Sequence, residues 1–178
     1  MALEVTSAGL IGDAVSRETA FERLMTLHER LVLRTAWRLL GSLPDAQDAA
    51  QEVFLRLYRH LGGVDEAAVE AWLYRTTVNV CYDVLRRRRR HAEVDLEPAL
   101  AVAAAGGAPP EEEAKRRLLG EAIQHLPPQE RAAVTLCSIE GLSAAQAAAV
   151  LGVAEGTVRS HLSIARARLK EYVGRFWR

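Results

Sequence analysis

Polar and aromatic side chains recur along one row of a predicted helix that runs from about Glu66 into a run of arginines. At 100° per residue, this row contains Trp72, Arg75, Asn79, Asp83, Arg86 and Arg90. The row combines ring stacking, amide hydrogen bonding and guanidinium–phosphate contact, which are the interactions that hold single-stranded nucleic acid. An ordinary solvated helix face with one half-buried tryptophan has the same pattern. The row therefore indicates nucleic-acid binding without establishing it.

Five consecutive arginines, Arg86 to Arg90, end this helix in a chain whose formal net charge is zero, with 23 basic and 23 acidic residues. The charges are uneven, because a second basic group lies in the C-terminal stretch and acids concentrate between Glu93 and Glu113. Fields are screened over about 10 Å at ordinary salt, so each basic region can bind phosphate locally. We expect Arg86 and Arg90 to continue the polar row and the other arginines to contact phosphates nonspecifically.

The segment "GLSAAQAAAVLGVAEGTVRSHLSIARARL" predicts a helix-turn-helix. Ser143 and Gln146 have the spacing of a capping box, and Gly152 permits the left-handed turn that ends a short first helix. A second, amphipathic helix follows from about Glu155. Two short helices joined by a tight glycine-containing turn are typical of DNA-binding proteins. A plain helical hairpin with a basic surface is the alternative.

The second helix of this motif presents side chains that suit DNA. Its apolar face contains Val158, Leu162, Ala165 and Leu169. Arg159, Ser160 and Ser163 project away from that face and can reach base edges, where arginine pairs with guanine. Thr157, Arg166 and Arg168 are better placed for phosphates or for solvent.

These sites need a helical scaffold, and the composition favours one. The chain is 49% hydrophobic and contains only 12 glycines and 6 prolines in 178 residues. Apolar residues recur at helical spacing from Phe21 to Leu40, with Leu27 on the apolar stripe, and again from Ala46 to Leu61, where Asp45 is a candidate cap. We predict an all-α fold of two small helical domains joined by a flexible linker. The predicted parts are an N-terminal tail (1–20), a helical bundle (21–91), an acidic linker (92–110) and a helix-turn-helix domain (111–178).

Several other classes of protein are disfavoured. Cys81 and Cys137 lie in apolar helical patterns, which predicts buried thiols in a reducing cytoplasm and disfavours a disulfide. The five histidines lack metal-ligand spacing and no nucleophile motif is present, so we expect no metal, no cofactor, no catalytic residue and no enzyme activity. The first residues lack the pattern of a signal peptide, and nothing approaches a membrane span.

Three segments, in this order, resemble the extracytoplasmic-function (ECF) sigma factors, which are small bacterial RNA polymerase sigma factors of the sigma-70 family. "DAQDAAQEVFLRLYRHL" is similar to the family's polymerase-binding helix, and "AWLYRTTVNVCYDVLRRRRR" is similar to its promoter-melting helix. "LPPQERAAVTLCSIEGLSAAQAAAVLGVAEGTVRSHLSIARARL" is similar to its upstream-element reader. The resemblance extends from about Phe21 to Val173, apart from the linker.

The resemblance implies promoter-specific transcription initiation, with core RNA polymerase and promoter DNA as partners and, in many members, an anti-sigma factor. It implies a polymerase-binding surface at Asp45, Asp48, Gln51, Glu52 and Phe54. Trp72, Asn79, Asp83 and Arg86 match the helix that contacts the −10 element, and Arg159, Ser160 and Ser163 match positions that read the −35 element. Four positions depart from the family pattern: Thr76, Thr77, His161 and Ile164.

A stand-alone transcription regulator of the LuxR-like kind is the alternative, because its helix-turn-helix also resembles "TVRSHLSIARARL". Such a regulator would normally carry an N-terminal sensor or phosphoacceptor domain with alternating strands and helices. The sequence has no strand pattern, which disfavours this class.

Overall fold

All regular structure in the described part of the chain is helical. The structure is a computed structural model that describes residues 7–61, 66–92 and 110–176. The helices in these ranges are α1 (Ser7–Leu40), α2 (Leu43–His60), a 3₁₀ turn (Glu66–Ala68), α3 (Val69–Ala92), α4 (Pro110–Gln124), α5 (Pro128–Val134), a π-helical segment (Thr135–Ile139), α6 (Ala144–Leu151) and α7 (Glu155–Phe176). The prediction of an all-α fold is confirmed. Apart from its first and last residues, the predicted linker 92–110 lies outside the described residues, and the division into domains stays a prediction.

The first helix differs from its prediction in two ways. It begins at Ser7, so most of the predicted tail 1–20 is helical instead of irregular. No proline interrupts this stretch, and once a helix has formed, each added residue gains one further backbone hydrogen bond. Leu27 was predicted to be part of the apolar stripe, but 70% of it is exposed.

The helices α1, α2 and α3 pack against one another around large buried side chains. Leu39, Leu57 and Leu73 are at most 1% exposed. Ser42 caps α2, because its hydroxyl accepts a hydrogen bond from the Asp45 backbone N–H at 3.4 Å. The expectation that Asp45 caps this helix was wrong. Both cysteines are free thiols, and Cys81 is fully buried in this core.

The helices α4 to α7 form a second group that includes the helix-turn-helix. The capping box at Ser143 and Gln146 is present, with hydrogen bonds of 3.2 Å and 2.9 Å between them. Gly152 ends α6 with φ of 69°, a left-handed conformation that costs other residues energy. Val158 and Ala165 of α7 are fully buried. The predicted helix-turn-helix elements are therefore confirmed.

The C-terminal end of α1 joins the two groups of helices. The last four carbonyl groups of a helix have no partner within it and need donors from elsewhere. The four donors are the Gly41 N–H to Trp37 O (2.8 Å), Gln124 Nε2 to Arg38 O (2.8 Å), Arg131 Nη1 to Leu39 O (2.6 Å) and Arg88 Nη1 to Leu40 O (3.1 Å). Three of these donors are side chains from α4, α5 and α3. The end of α1 is thus bound by helices from both groups.

Candidate nucleic-acid interfaces and docking groove

The polar row of α3 lies on the outside of the bundle. Arg75, Asn79, Arg86 and Arg90 are exposed, and Trp72 and Asp83 are half-buried. A different face of the helix is buried at Val69, Leu73, Thr77 and Val80. Thr77 is accommodated in this core because its hydroxyl donates to Leu73 O at 2.7 Å. The helical period therefore separates a packing face from a face that a ligand can reach.

Contacts within the molecule hold parts of this row. The Trp72 ring lies 6.3 Å from the His60 ring, measured between centroids. Arg86 Nη1 lies 3.5 Å from Asp83 Oδ1, one turn earlier on the same helix. Arg75 donates from Nη2 to the carbonyl of Ala149 on α6. The row is thus accessible in part and is used in part to bind the helix-turn-helix group.

One arginine of the run binds groups of other helices within the protein. Arg88 donates to Leu40 O at the end of α1 and forms an ion pair with Asp45 at the start of α2. Burial lowers the pKa of its guanidinium. The expectation that the arginines between Arg86 and Arg90 contact phosphates was therefore wrong for Arg88. Arg87 and Arg89 are exposed, as expected.

The candidate base-reading residues of α7 are exposed. Arg159, Ser160 and Ser163 lie outside the packing face, and Thr157 and Arg166 are also exposed. Arg159 is oriented by an ion pair with Glu155, one turn earlier, at 2.5 Å. The α7 surface therefore offers one oriented guanidinium and two hydroxyl groups near the N-terminal end of the helix.

Arg168 differs from its neighbours on α7. Its Nη1 lies 2.8 Å from Oε1 of Glu130, a residue of α5 that is 7% exposed. This pair joins α7 to α5. The sequence predicted that Arg168 contacts phosphate or solvent; in the structure its guanidinium pairs with this carboxylate, and 51% of its side chain is exposed.

A groove of about 720 Å³ between α1 and α2 contains part of the predicted polymerase-binding surface. Asp48, Gln51 and Phe54 line it, together with Phe21, Met25, Glu29, Leu33, Gln47, Ala50 and Leu55. Asp45 and Glu52 do not line it; Asp45 pairs with Arg88, and Glu52 pairs with Arg56 at 2.8 Å. The structure therefore brings three of the five predicted residues together.

Polar residues that sequence reasoning did not select join the two groups of helices. Arg131, 8% exposed, donates to carbonyls of Leu39 and Leu126 at 2.6 and 3.0 Å and to both oxygens of Gln124. Burial lowers the pKa of its guanidinium. A single basic residue in "LPPQER" resembles a surface residue, so the sequence has no signal for this role.

A second junction is formed by Arg34 of α1 and Glu140, which follows the π-helical segment. Arg34 Nε donates to Glu140 Oε1 at 3.0 Å, and its Nη2 pairs with Oε2. The Glu140 side chain is fully buried, whereas 52% of the Arg34 side chain is exposed. Burial, with the Glu140 carboxylate beside it, raises the pKa of Tyr74 to about 12.

The two candidate DNA-binding helices line one hollow. Its volume is about 420 Å³, and α3 contributes Tyr82, Leu85, Arg86 and Arg89 while α7 contributes His161. Burial raises the pKa of Tyr82 to about 12. The arrangement places arginines of α3 close to the helix that carries the candidate base-reading residues.

Known families match both groups of helices. The family described as Sigma-70 region 2 matches residues 24–91, and the family described as Sigma-70, region 4 matches residues 116–169. The first match contains α2 and α3, and the second contains α5, the π-helical segment and α6.

Curated proteins and a solved structure are also similar. The ECF RNA polymerase sigma factor SigE of Mycolicibacterium smegmatis is 38% identical over 88% of this chain, which spans only 62% of that relative. SigM of Mycobacterium tuberculosis, another ECF RNA polymerase sigma factor, is 38% identical over 96% of this chain and 84% of its own length. The sigma factor RpoE, solved in complex with the anti-sigma factor NepR from Bartonella quintana, shares the fold with a TM-score of 0.74 at 24% identity, over 86% of this chain and 96% of its own. The chain belongs to the ECF sigma factors of bacterial RNA polymerase.

Proposed function

We propose that the protein binds core RNA polymerase and directs promoter-specific transcription initiation by recognising −10 and −35 elements. The observation that carries this proposal is the presence of sigma-70 regions 2 and 4 on one chain, each with candidate DNA-binding residues on exposed helix faces. The region 2 match disfavours the LuxR-like regulator, for which only the helix-turn-helix would be needed. Within the described residues there is also no strand of the kind that a sensor domain would contribute.

The groove between α1 and α2 is the proposed polymerase-binding surface. Apolar side chains are accessible there, with Met25 37% and Leu55 51% exposed. Asp48 and Gln51 add polar groups beside them. Exposed apolar surface rimmed by polar residues is typical of protein–protein contact sites. Asp45 and Glu52, which lie outside the groove and are partly exposed, are proposed as the edge of this surface.

The proposed −10 surface is the row of α3, and the proposed −35 surface is the N-terminal part of α7. On α3, Trp72 offers a ring for stacking and Asn79 an amide for base edges, while Arg86 and Arg90 suit phosphates. On α7, Arg159 suits a guanine, and Ser160 and Ser163 suit base edges or backbone. The matching domain division is a bundle at 21–91 and a helix-turn-helix domain at 111–178.

The remaining partners follow from the family. The RpoE structure contains an anti-sigma factor, and we propose a partner of this kind for the present chain as well. Sigma factors are transcription initiation factors, so no catalytic residue is proposed. We propose a cytoplasmic location, where RNA polymerase acts. No helix among the described residues is long and apolar enough to cross a membrane.

Transcription in vitro tests the function. Purified core RNA polymerase, the protein and fragmented DNA from its source are combined, and transcript start sites are sequenced. We expect starts that depend on the protein and share −10 and −35 sequences. Leu55→Asp places a charge in the groove and should abolish co-elution with core polymerase, while Arg30→Gln, on the exposed side of α1, should not. Failure to bind core polymerase, with tight duplex binding by the free protein, would support the regulator instead.

The role of α3 is tested on two templates. Trp72→Ala and Asn79→Ala should reduce initiation on duplex promoters and retain most initiation on a template whose −10 region is already unpaired. Glu70→Gln, on the opposite side of the same helix, is the matched control and should behave as the unchanged protein. Equal losses on both templates would show that these residues do not act in strand opening.

A further inference from the structure

A cavity of about 660 Å³ lies between the two groups of helices. Its walls come from the end of α1, the outer part of α4, the π-helical segment and α7. The described lining residues are Trp37, Arg38, Gly41, Glu113, Arg116, Arg117, Leu119, Gly120, Ile123, Gln124, Val134, Ser138, Ile139, Arg166 and Leu169. None of these residues belongs to the groove between α1 and α2 or to the polar row of α3. Of the proposed DNA-binding residues, only Arg166 reaches it.

Most of the cavity wall is apolar. Trp37, Ile123 and Leu169 contribute a ring and branched aliphatic side chains, and Leu119, which lines the cavity, is 47% exposed. Pockets that bind small molecules have volumes of about 300–1,000 Å³ and are lined mainly by such groups, with a few polar groups that fix orientation. The size and lining therefore suit a small molecule with an apolar body.

The charged groups of the wall favour an anion. Four arginines and one glutamate, Glu113, line the cavity, so the wall is basic overall, although Oε2 of Glu113 is also buried without a hydrogen-bond partner in the described part of the chain. Arg116 pairs with Glu112 at 3.3 Å, but no carboxylate of the described residues pairs with Arg117 or Arg166. The Arg38 guanidinium lies 5.9 Å from the centre of the Trp37 ring.

Arg38 is the most informative of these residues. Its Nε atom is buried and has no hydrogen-bond partner in the described part of the chain. Burial lowers the pKa of its guanidinium, the Glu140 carboxylate offsets part of this effect, and the charge of Arg34 adds to it. The Arg38 side chain is half-buried, and the carboxylate that acts on it, Glu140, is already paired with Arg34, so the guanidinium can bind an anion in the cavity.

We propose that this cavity binds a small amphiphilic carboxylate, with its apolar body against Trp37, Ile123 and Leu169 and its carboxylate at Arg38 and Arg117. A carboxylate matches the fork of N–H donors of a guanidinium and would supply a hydrogen-bond acceptor for Arg38. Because the walls come from both groups of helices, the ligand would also stabilise their packing. The proposal does not rest on the sigma function.

Dodecanoate is a suitable probe, because it combines one carboxylate with a flexible alkyl chain. Isothermal titration calorimetry with the full-length protein, below the micellar concentration, should show one site and a rise in melting temperature. Dodecyltrimethylammonium and dodecanol have the same chain without the negative charge. Both should bind at least tenfold more weakly, since a charge-assisted hydrogen bond accounts for about a factor of ten in affinity.

Variants locate the site. Arg38→Gln and Arg117→Gln should each weaken dodecanoate binding roughly tenfold and leave the weak binding of dodecanol unchanged. Ser138→Trp places a large side chain in the cavity wall and should abolish binding of both probes. Arg30→Gln removes an exposed arginine two turns earlier on α1 and should have no effect. Circular dichroism spectra of the variants should match that of the unchanged protein.

Three results would overturn the proposal. The first is absence of saturable dodecanoate binding by a folded protein. The second is equal affinity for the carboxylate, the alcohol and the ammonium compound, which would mean that the arginines do not recognise charge. The third is unchanged binding in both Arg38→Gln and Ser138→Trp, which would place the probe elsewhere. None of these results depends on polymerase or promoter binding.

Discussion

Arg88 is predicted to contribute more to folding stability than its neighbours in the arginine run. Its hydrogen bond to Leu40 O has a charged donor, and such bonds contribute about 1.5–3 kcal/mol. Because 39% of the Arg88 side chain is exposed, we take the lower end, about 1.5 kcal/mol. The partly exposed ion pair with Asp45 adds about 0.5 kcal/mol. Arg88→Ala should therefore lower the free energy of unfolding by about 2 kcal/mol.

Arg89→Ala is the matched control, since Arg89 has the same chemistry at the next position and is exposed. Its effect should stay within about 0.5 kcal/mol. Urea unfolding followed by circular dichroism measures both variants. A double-mutant cycle of Arg88→Ala with Asp45→Asn isolates the ion pair, for which we expect a coupling energy of about 0.5 kcal/mol. Equal stability of the Arg88→Ala and Arg89→Ala proteins would refute a structural role for Arg88.

Two further predictions concern buried groups. Arg34→Ala leaves the buried Glu140 carboxylate without its cation, whereas Glu140→Gln leaves an exposed arginine in water. Arg34→Ala should therefore lower the free energy of unfolding, measured in urea, by about 2 kcal/mol more than Glu140→Gln does. A larger loss of stability in Glu140→Gln would contradict this account of the junction. Burial raises the pKa of Cys81 from 9.0 to about 12, so the folded state holds a proton that the unfolded state releases. The contribution of this protonated thiol to the free energy of unfolding is fully present below pH 9 and is lost as the pH rises towards 12. The melting temperature of Cys81→Ala should therefore fall less steeply between pH 9 and 11 than that of the unchanged protein.

The sequence predicted those features that depend on local periodicity and capping. A rotation of 100° per residue along a helix predicts that the polar row with Trp72 and the buried face with Leu73 lie on different sides of α3, and the structure has this arrangement. The capping box at Ser143 and the left-handed Gly152 follow from residue type and spacing, because each requirement is met within a few residues. The helix-turn-helix could therefore be placed before the structure was known.

Features that depend on contacts between distant residues could not be predicted in this way. An arginine that binds a carbonyl or a carboxylate of another helix has the same sequence signature as one that faces solvent, so the internal contacts of Arg88, Arg131 and Arg168 were not predicted. The π-helical segment Thr135–Ile139 was not predicted either, because a helical turn that contains one extra residue has no distinctive amino-acid composition. The cavity depends on how four elements meet, for which a single sequence has no signal.

If the α3 row binds promoter DNA as proposed, the hydrogen bond between Arg75 and Ala149 has to open before DNA can contact Arg75. On the proposed function, only molecules in which this bond has opened present the complete α3 row to DNA. If the open fraction is about 1%, the apparent dissociation constant is about 100-fold larger than that of the open form. A partner that prefers the open form raises this fraction through its differential affinity. Promoter affinity then depends on the population of conformers as well as on the side chains that touch the bases.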